Sequence, residues 1–245
     1  PGITSIPARW RVRAACALAG PAGAGVCAKG GGFYRALGRA GAIARPTFPR
    51  HDPGRDGAMI DRLPVGVVIP RRNCVGLRRR HLPALQAVLD RAEEVVVVDS
   101  ESTDGTIELL RSSLRHERLR FEHRPRGLYA AWNHGLGLLT TRYAYLATAG
   151  DVITLDGIPH LCEVAERLAA DVVLSPPRLV DDAGVALPRK RWTIHHLLEI
   201  LQVREPRTIY PAQMFFPSLF PGMEGVMDSH AGNLFGSHTL QRTPF

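Results

Sequence analysis

Glu93 to Leu110 reads EEVVVVDSESTDGTIELL: four consecutive valines, an Asp-rich turn containing Gly105, then a helical pattern. The valine run is too apolar for a half-solvated strand and too short for a helix. It predicts a central strand of a parallel sheet, covered on both faces. Asp99 then falls at that strand's carboxyl end. Ligands of open α/β sheets bind just outside the carboxyl ends of the strands, so a carboxylate delivered there is placed to meet a nucleotide. Ser102, Thr103 and Asp104 offer helix-capping oxygens and Gly105 relaxes the turn. A solvated turn leading into a capped helix accounts for Ser102 to Gly105 but not for Asp99.

Outward from this unit the same rhythm repeats. Val65 to Pro70 reads as a buried strand, with Pro70 ending its ladder. A helix is predicted from about Gly76 to Ala92, with Leu77, Leu82, Leu85, Val88 and Leu89 on one face. After the strand Val95 to Asp99 come a helix near Asp104 to Leu114, a strand Leu119 to His123 and a helix Leu128 to Leu139. A strand Tyr143 to Ala147, a helix Gly157 to Ala169 and a strand Asp171 to Ser175 complete the alternation. Such alternation predicts right-handed βαβ units and a three-layer α/β fold with a mostly parallel sheet. Beyond Pro177 the rhythm breaks. Asp181 to Gly184 reads as a hairpin-like turn and Ile194 to Val203 as a helix, after which Pro206, Pro211, Pro217 and Pro221 interrupt the chain.

Charge separates the chain into unequal parts. Of the formal net charge of +8, residues 1–58 carry +7, from nine Lys/Arg against Asp52 and Asp56, which leaves +1 for residues 59–245. A nucleic-acid binder would show its basic footprint on the folded part, so nucleic acid is not an expected partner. Residues 1–58 hold eleven Gly, thirteen Ala and two Leu, too little apolar bulk to offset the entropy of ordering. They are expected to be a disordered or non-native extension, with Met59 as the native start. Residues 59–178 form the expected nucleotide-binding half and 179–245 an irregular acceptor-side region. Cys16, Cys27, Cys74 and Cys162 lie at no metal-ligand spacing, which predicts free thiols of a reducing, cytoplasmic compartment. No stretch approaches the roughly 18 apolar residues of a membrane span.

A dinucleotide-binding domain would need its glycine fingerprint directly after the first strand. Pro70, Arg71, Arg72, Asn73, Cys74 and Val75 stand there instead. A strand ending in Pro-x-x-Asn, with VVVDSESTDGT about 25 residues later, resembles the opening of family 2 glycosyltransferases. These are inverting enzymes of the GT-A fold that use nucleotide-diphosphate sugars. The likeness continues in Gly127, Leu128, Ala131, Asn133 and Gly135, and again in YAYLATAGD from Tyr143 to Asp151.

The resemblance implies that Pro70, Arg72 and Asn73 line the nucleobase pocket and that Asp99 binds base and ribose. Bland readings stand beside these: a solvated turn for Arg71 and Arg72, a hydrogen bond to a neighbouring loop for Asn133, surface or packing roles for His123 and His134. The family's Asp-x-Asp pair, which holds Mg²⁺ or Mn²⁺ against the diphosphate, falls on Thr148 and Gly150. Only Asp151 comes next as an acid, the one candidate metal ligand, while Asp156 reads as a helix cap.

An inverting transfer also needs a general base. Gly232 to Phe235 and Leu240 to Phe245 look like the approach to the family's acidic motif, so the chain is expected to stop short of that base. Glu224 and Asp228 are the only nearby acids and fit the position poorly. The resulting expectation is a glycosyltransferase with a nucleotide-diphosphate sugar as donor and a glycan, lipid or protein as acceptor. The alternative is a catalytically silent nucleotide-sugar-binding module.

Overall fold

The four valines divide their side chains between two cores. In the computed structural model, which describes residues 14–16, 25–28, 62–148, 151–153, 156–180, 187, 193–209 and 232–245, Val95 and Val97 enter one apolar cluster. Val96 and Val98 enter another on the opposite face. All four are at most 1% exposed, and such burial stabilises by about 1.5 kcal/mol or more per valine. The preceding strand splits in the same way, with Val65, Val67 and Ile69 on the first face and Val68 on the second.

In chain order the strands are β1 (Ala14–Cys16), β2 (Gly25–Ala28), β3 (Leu63–Arg71), β4 (Ala92–Asp99), β5 (Leu119–His123), β6 (Tyr143–Leu146), β7 (Asp151–Ile153), β8 (Val172–Leu174), β9 (Arg178–Val180), β10 (Arg207–Ile209) and β11 (Leu234–Gly236). The helices are α1 (Val75–Leu89), α2 (Thr106–Ser113), α3 (Leu128–Gly137), α4 (Gly157–Leu168), α5 (Thr193–Ile200) and α6 (Ser237–Arg242). The main sheet runs β10-β1-β8-β11-β6-β3-β4-β5. Its β6-β3-β4-β5 part is parallel, and β11 lies antiparallel between β6 and β8. Helices α1, α2 and α4 cover the first face, while α3 and α6 cover the second.

From β3 the chain moves outward through α1 and α2 to β5, then returns along α3 on the other face to β6, on the far side of β3. The topological switch therefore lies between β3 and β6, where this class of sheet opens a crevice for ligands.

Helix α3 is fitted to that sheet by small residues. Gly127 opens it at φ 151°, a conformation side chains avoid. Ala131 and Gly135 are buried along its inner side, and a Cβ on Gly135 would come within 2.4 Å of Val68 Cγ1. Asn133 bonds a neighbouring segment, as expected: its Nδ2 donates to Phe245 O and its Oδ1 accepts from Phe245 N, both at 3.0 Å.

Several segments differ from expectation. Strand β4 begins at Ala92, because Glu94 is buried with partners: its carboxylate accepts from the Thr140 backbone N and hydroxyl and pairs with Arg118. Strand β3 runs on through Pro70 to Arg71. The last bond to β6 is Ala147 N to Val68 O, so a missing N–H two residues later costs no ladder bond. Leu234–Gly236, read as irregular, is a central strand. Ala14–Cys16 joins β8 and β10, and Gly25–Ala28 joins β7 and β9 in a second, three-stranded sheet. These two segments of the extension need no apolar bulk of their own, because an existing edge supplies backbone partners. The turn at Asp181–Gly184 lies outside the described residues.

Candidate donor site at the strand ends

Two strand-to-helix turns meet above β3 and β4, and they are tied to each other. Asn73 takes a left-handed backbone, φ 44°, which asparagine tolerates better than most residues. Its backbone N donates to Ser102 Oγ at 3.1 Å, and its side-chain oxygen accepts from Thr103 N at 2.8 Å. Cys74 N donates to Thr106 Oγ1 at 2.9 Å. Asp104 caps two helices at once. One carboxylate oxygen accepts from Val75 N at the start of α1, and the other accepts from the backbone N and hydroxyl of Thr106 at the start of α2.

The Thr106 hydroxyl, aided by the Val75 amide, holds the Asp104 carboxyl below the usual carboxylate range. A lowered value means that the carboxylate's stabilising contribution is present above about pH 4 and is lost as pH falls through the folded value. The melting-temperature gap between the protein and an Asp104→Ala variant should therefore be widest near neutral pH and narrow progressively as pH falls below about 4, the ordinary carboxylate value. A gap that persists unchanged into acid would remove the carboxylate as the cause.

Asp99 is 8% exposed. Ser102 N donates to both of its oxygens, at 3.2 and 3.3 Å. His123, at the end of β5 and directly opposite in register, places Nδ1 3.3 Å from Asp99 Oδ2 and leaves most of its ring exposed. His123 thus lies beside Asp99 while its ring stays mostly on the surface. Its signal is the pairing of β4 with β5, which no local pattern contains. Its counterpart His134 approaches Glu122 at 3.3 Å on the face away from Asp99.

Of the residues assigned to the base pocket, Pro70 is a buried strand residue, and Arg72 and Asn73 are exposed on the turn. Arg71, the turn arginine given no specific role, is 6% exposed. Its Nη1 donates to Pro70 O at 3.0 Å and to Ala147 O at 3.1 Å. The guanidinium therefore spans the carbonyl ends of β3 and β6, at the switch point. Burial pushes the neighbouring Cys74 thiol up, against the opposing pull of Arg71. Cys74 and Cys162 are free and buried.

The expected metal position opens β7, where the Asp151 backbone pairs with Cys27; the Asp151 side chain lies outside the described residues, as do Glu224 and Asp228. Among the described residues no group of three His, Cys, Asp or Glu side chains could hold a metal ion. Thr148, Gly150 and Asp151 offer one carboxylate, which does not fit a protein-held Mg²⁺ or Mn²⁺ site built from hard oxygen ligands.

A three-layer α/β sheet with its candidate carboxylate at the switch-side strand ends defines a Rossmann-like domain of the GT-A class. The chain belongs to glycosyl transferase family 2, whose profile matches residues 67–223. No curated protein matches the sequence significantly. Among solved structures it is similar to S. aureus TarS residues 1–349, at 19% identity and TM-score 0.47 over 73% of this chain and 48% of that one. It is also similar to M. tuberculosis glucosyl-3-phosphoglycerate synthase, at 15% identity and TM-score 0.42 over 72% and 58%. A third is the mannosyltransferase PcManGT from Pyrobaculum calidifontis, solved with GDP-Man and Mn²⁺, at 28% identity and TM-score 0.34 over 41% and 31%. The chain spans about half the length of the TarS structure.

Proposed function

We propose that this chain carries the donor side of a glycosyltransferase that moves a sugar from a nucleotide-diphosphate donor to an acceptor hydroxyl, with inversion at the anomeric carbon. The observation that carries the reading is Asp99: a nearly buried carboxylate at the end of a central strand, oriented by Ser102 N and one strand away from the β3–β6 switch. Such a group can accept hydrogen bonds from a base edge or ribose hydroxyl without first being ordered. Inversion is the outcome of direct attack by an acceptor oxygen, and a carboxylate base would take its proton. Glu224 and Asp228 are the candidates for that base. The acceptor class is a glycan, lipid or protein, and the compartment is the cytoplasm. No helix among the described residues is long and apolar enough to cross a membrane.

The degraded pair at Thr148 and Gly150 favours one second reading, a module that binds a nucleotide sugar without turning it over. Calorimetric titration with UDP and GDP, with Mn²⁺ and with EDTA, tests the shared premise. Binding of one nucleotide is expected, with an affinity changed less than about tenfold by EDTA, because one carboxylate leaves most of a divalent shell to phosphate and water. Tight Mn²⁺ binding that survives Asp151→Ala would show that the ligands lie elsewhere. Incubation with labelled donor and candidate acceptors then separates transferase from silent module, and the anomeric configuration of any product tests inversion.

A further inference from the structure

We propose that Leu128 is the apolar wall of the donor's base pocket, packing over the face of the nucleobase held beside Asp99. The inference rests on the donor-site reading above and adds the residue that covers the base.

Helical spacing is the first ground. Leu128, Ala131, Trp132, Gly135 and Leu136 fall at i, i+3, i+4, i+7 and i+8, one stripe of α3. The last four are buried, yet Leu128 is 51% exposed. It belongs to the inward stripe but has no sheet beneath it. Gly135 sits over Val68 and Val98, and α3 runs back from the carboxyl ends of the strands. Seven residues of helix therefore put Leu128 about 10 Å nearer those ends than Gly135. Val98 is only one residue short of Asp99. Leu128 thus overhangs the end of β4 by about 7 Å, which leaves room beneath it for a flat ring.

The second ground is how the start of α3 is fixed. Arg124 N donates to Asp99 O at 2.8 Å, and Arg126 Nε donates to Glu101 at 2.9 Å. The approach to α3 is fastened by both bonds to the turn that carries Asp99. Gly127 then opens the helix, and its carbonyl accepts from Ala131 N at 2.9 Å. Leu128 follows directly, so its place near Asp99 is set by the fold.

The third ground is chemical. Asp99 and the exposed turn residues Arg72, Asn73 and Thr103 offer polar groups for base edges and hydroxyls. The faces of a base are apolar and bind against apolar side chains. Among the described residues the large exposed hydrophobics are Leu128, Tyr129, Ile200 and Phe245. Tyr129 packs its ring against Trp132 and Phe245, and Ile200 lies on α5. Leu128 is the one that the fold leaves over the Asp99 turn.

The test uses calorimetry in EDTA with whichever of UDP and GDP the wild-type chain binds more tightly. Leu128→Gln removes the apolar cover and should lower that affinity about three- to tenfold, the worth of half-burying a leucine. Leu128→Phe should keep it within about twofold, because a ring covers a base at least as well. Melting temperatures should stay within about 2 °C of wild type, since the side chain is half exposed. Leu128→Trp adds a direct readout: the nucleotide should quench its emission beyond any change seen in the wild-type chain, and ribose 5-phosphate, which lacks a base, should not. Full nucleotide affinity in Leu128→Gln would overturn the assignment, as would an unquenched Leu128→Trp that still binds the nucleotide. Equal quenching by ribose 5-phosphate would do the same. Unfolding of Leu128→Gln would contradict the overhang on which the assignment stands. A wild-type chain that binds neither UDP nor GDP would instead overturn the donor-site reading beneath it.

Discussion

Asp99→Asn is expected to weaken nucleoside-diphosphate binding by about 1.5 to 3 kcal/mol, the worth of a hydrogen bond involving a charged group. That is roughly a ten- to hundredfold loss of affinity. The size of the loss reflects how little else the substitution disturbs. An asparagine oxygen can still accept from Ser102 N, so the turn keeps its shape. The second oxygen, which faces His123 Nδ1 at 3.3 Å, becomes an NH₂ group and turns an acceptor into a donor. A ligand donor that met a carboxylate now meets another donor. Stability should move by less than about 1 kcal/mol, the usual net worth of one intramolecular hydrogen bond. Wild-type affinity in a folded Asp99→Asn protein would take this residue out of the site.

Gly135→Val is expected to be the most damaging single substitution on α3. The Cβ alone would sit 2.4 Å from Val68 Cγ1 and 3.2 Å from Val98 Cγ2, and both valines are fully buried. Neither can turn away easily, since β-branched side chains have few rotamers. Even Gly135→Ala sets a propensity gain of about 1 kcal/mol against an overpacking cost of about 1 to 3 kcal/mol. Alanine should therefore be mildly destabilising, and valine should cost about 3 kcal/mol or more, lowering the melting temperature by roughly 6 to 12 °C. Val68→Ala, destabilising alone, should recover part of the loss when combined with Gly135→Ala, a coupling that a double-mutant cycle reads directly. Gly135→Ala at wild-type stability with no coupling to Val68 would show that the helix rides higher on the sheet than described.

The central sheet was legible because its strands announce themselves one at a time. Val95 to Val98 needs two covered faces wherever it is placed, and Val65 to Ile69 repeats the requirement. Leu234–Gly236 made no such announcement: three residues are too few for a period, and what makes them a strand is the gap between β6 and β8. The same holds for Ala14–Cys16 and Gly25–Ala28. At the site, the helix-capping chemistry of Ser102 to Asp104 could be read from the turn. That Asp104 also caps α1 could not, because this depends on β3 and β4 being neighbours. Arg71 and Arg72 look alike in sequence. One residue of difference in where β3 ends decides that the first is buried across the switch and the second exposed. Burial of Glu94 was hidden for a related reason, since its partners Thr140 and Arg118 belong to other elements.

The lacing of Asn73, Cys74 and Val75 to Ser102, Thr103, Asp104 and Thr106 has a thermodynamic consequence for any ligand that settles there. Two turns that would otherwise fluctuate independently behave as a single rigid rim, with their shape already fixed in the free protein. Ordering a residue costs about 1 to 2 kcal/mol, and at this rim that cost is met during folding rather than on ligand capture. A molecule arriving at Asp99 would therefore spend little of its contact energy on ordering these two turns, and what it still has to offset is its own loss of freedom and the water it displaces.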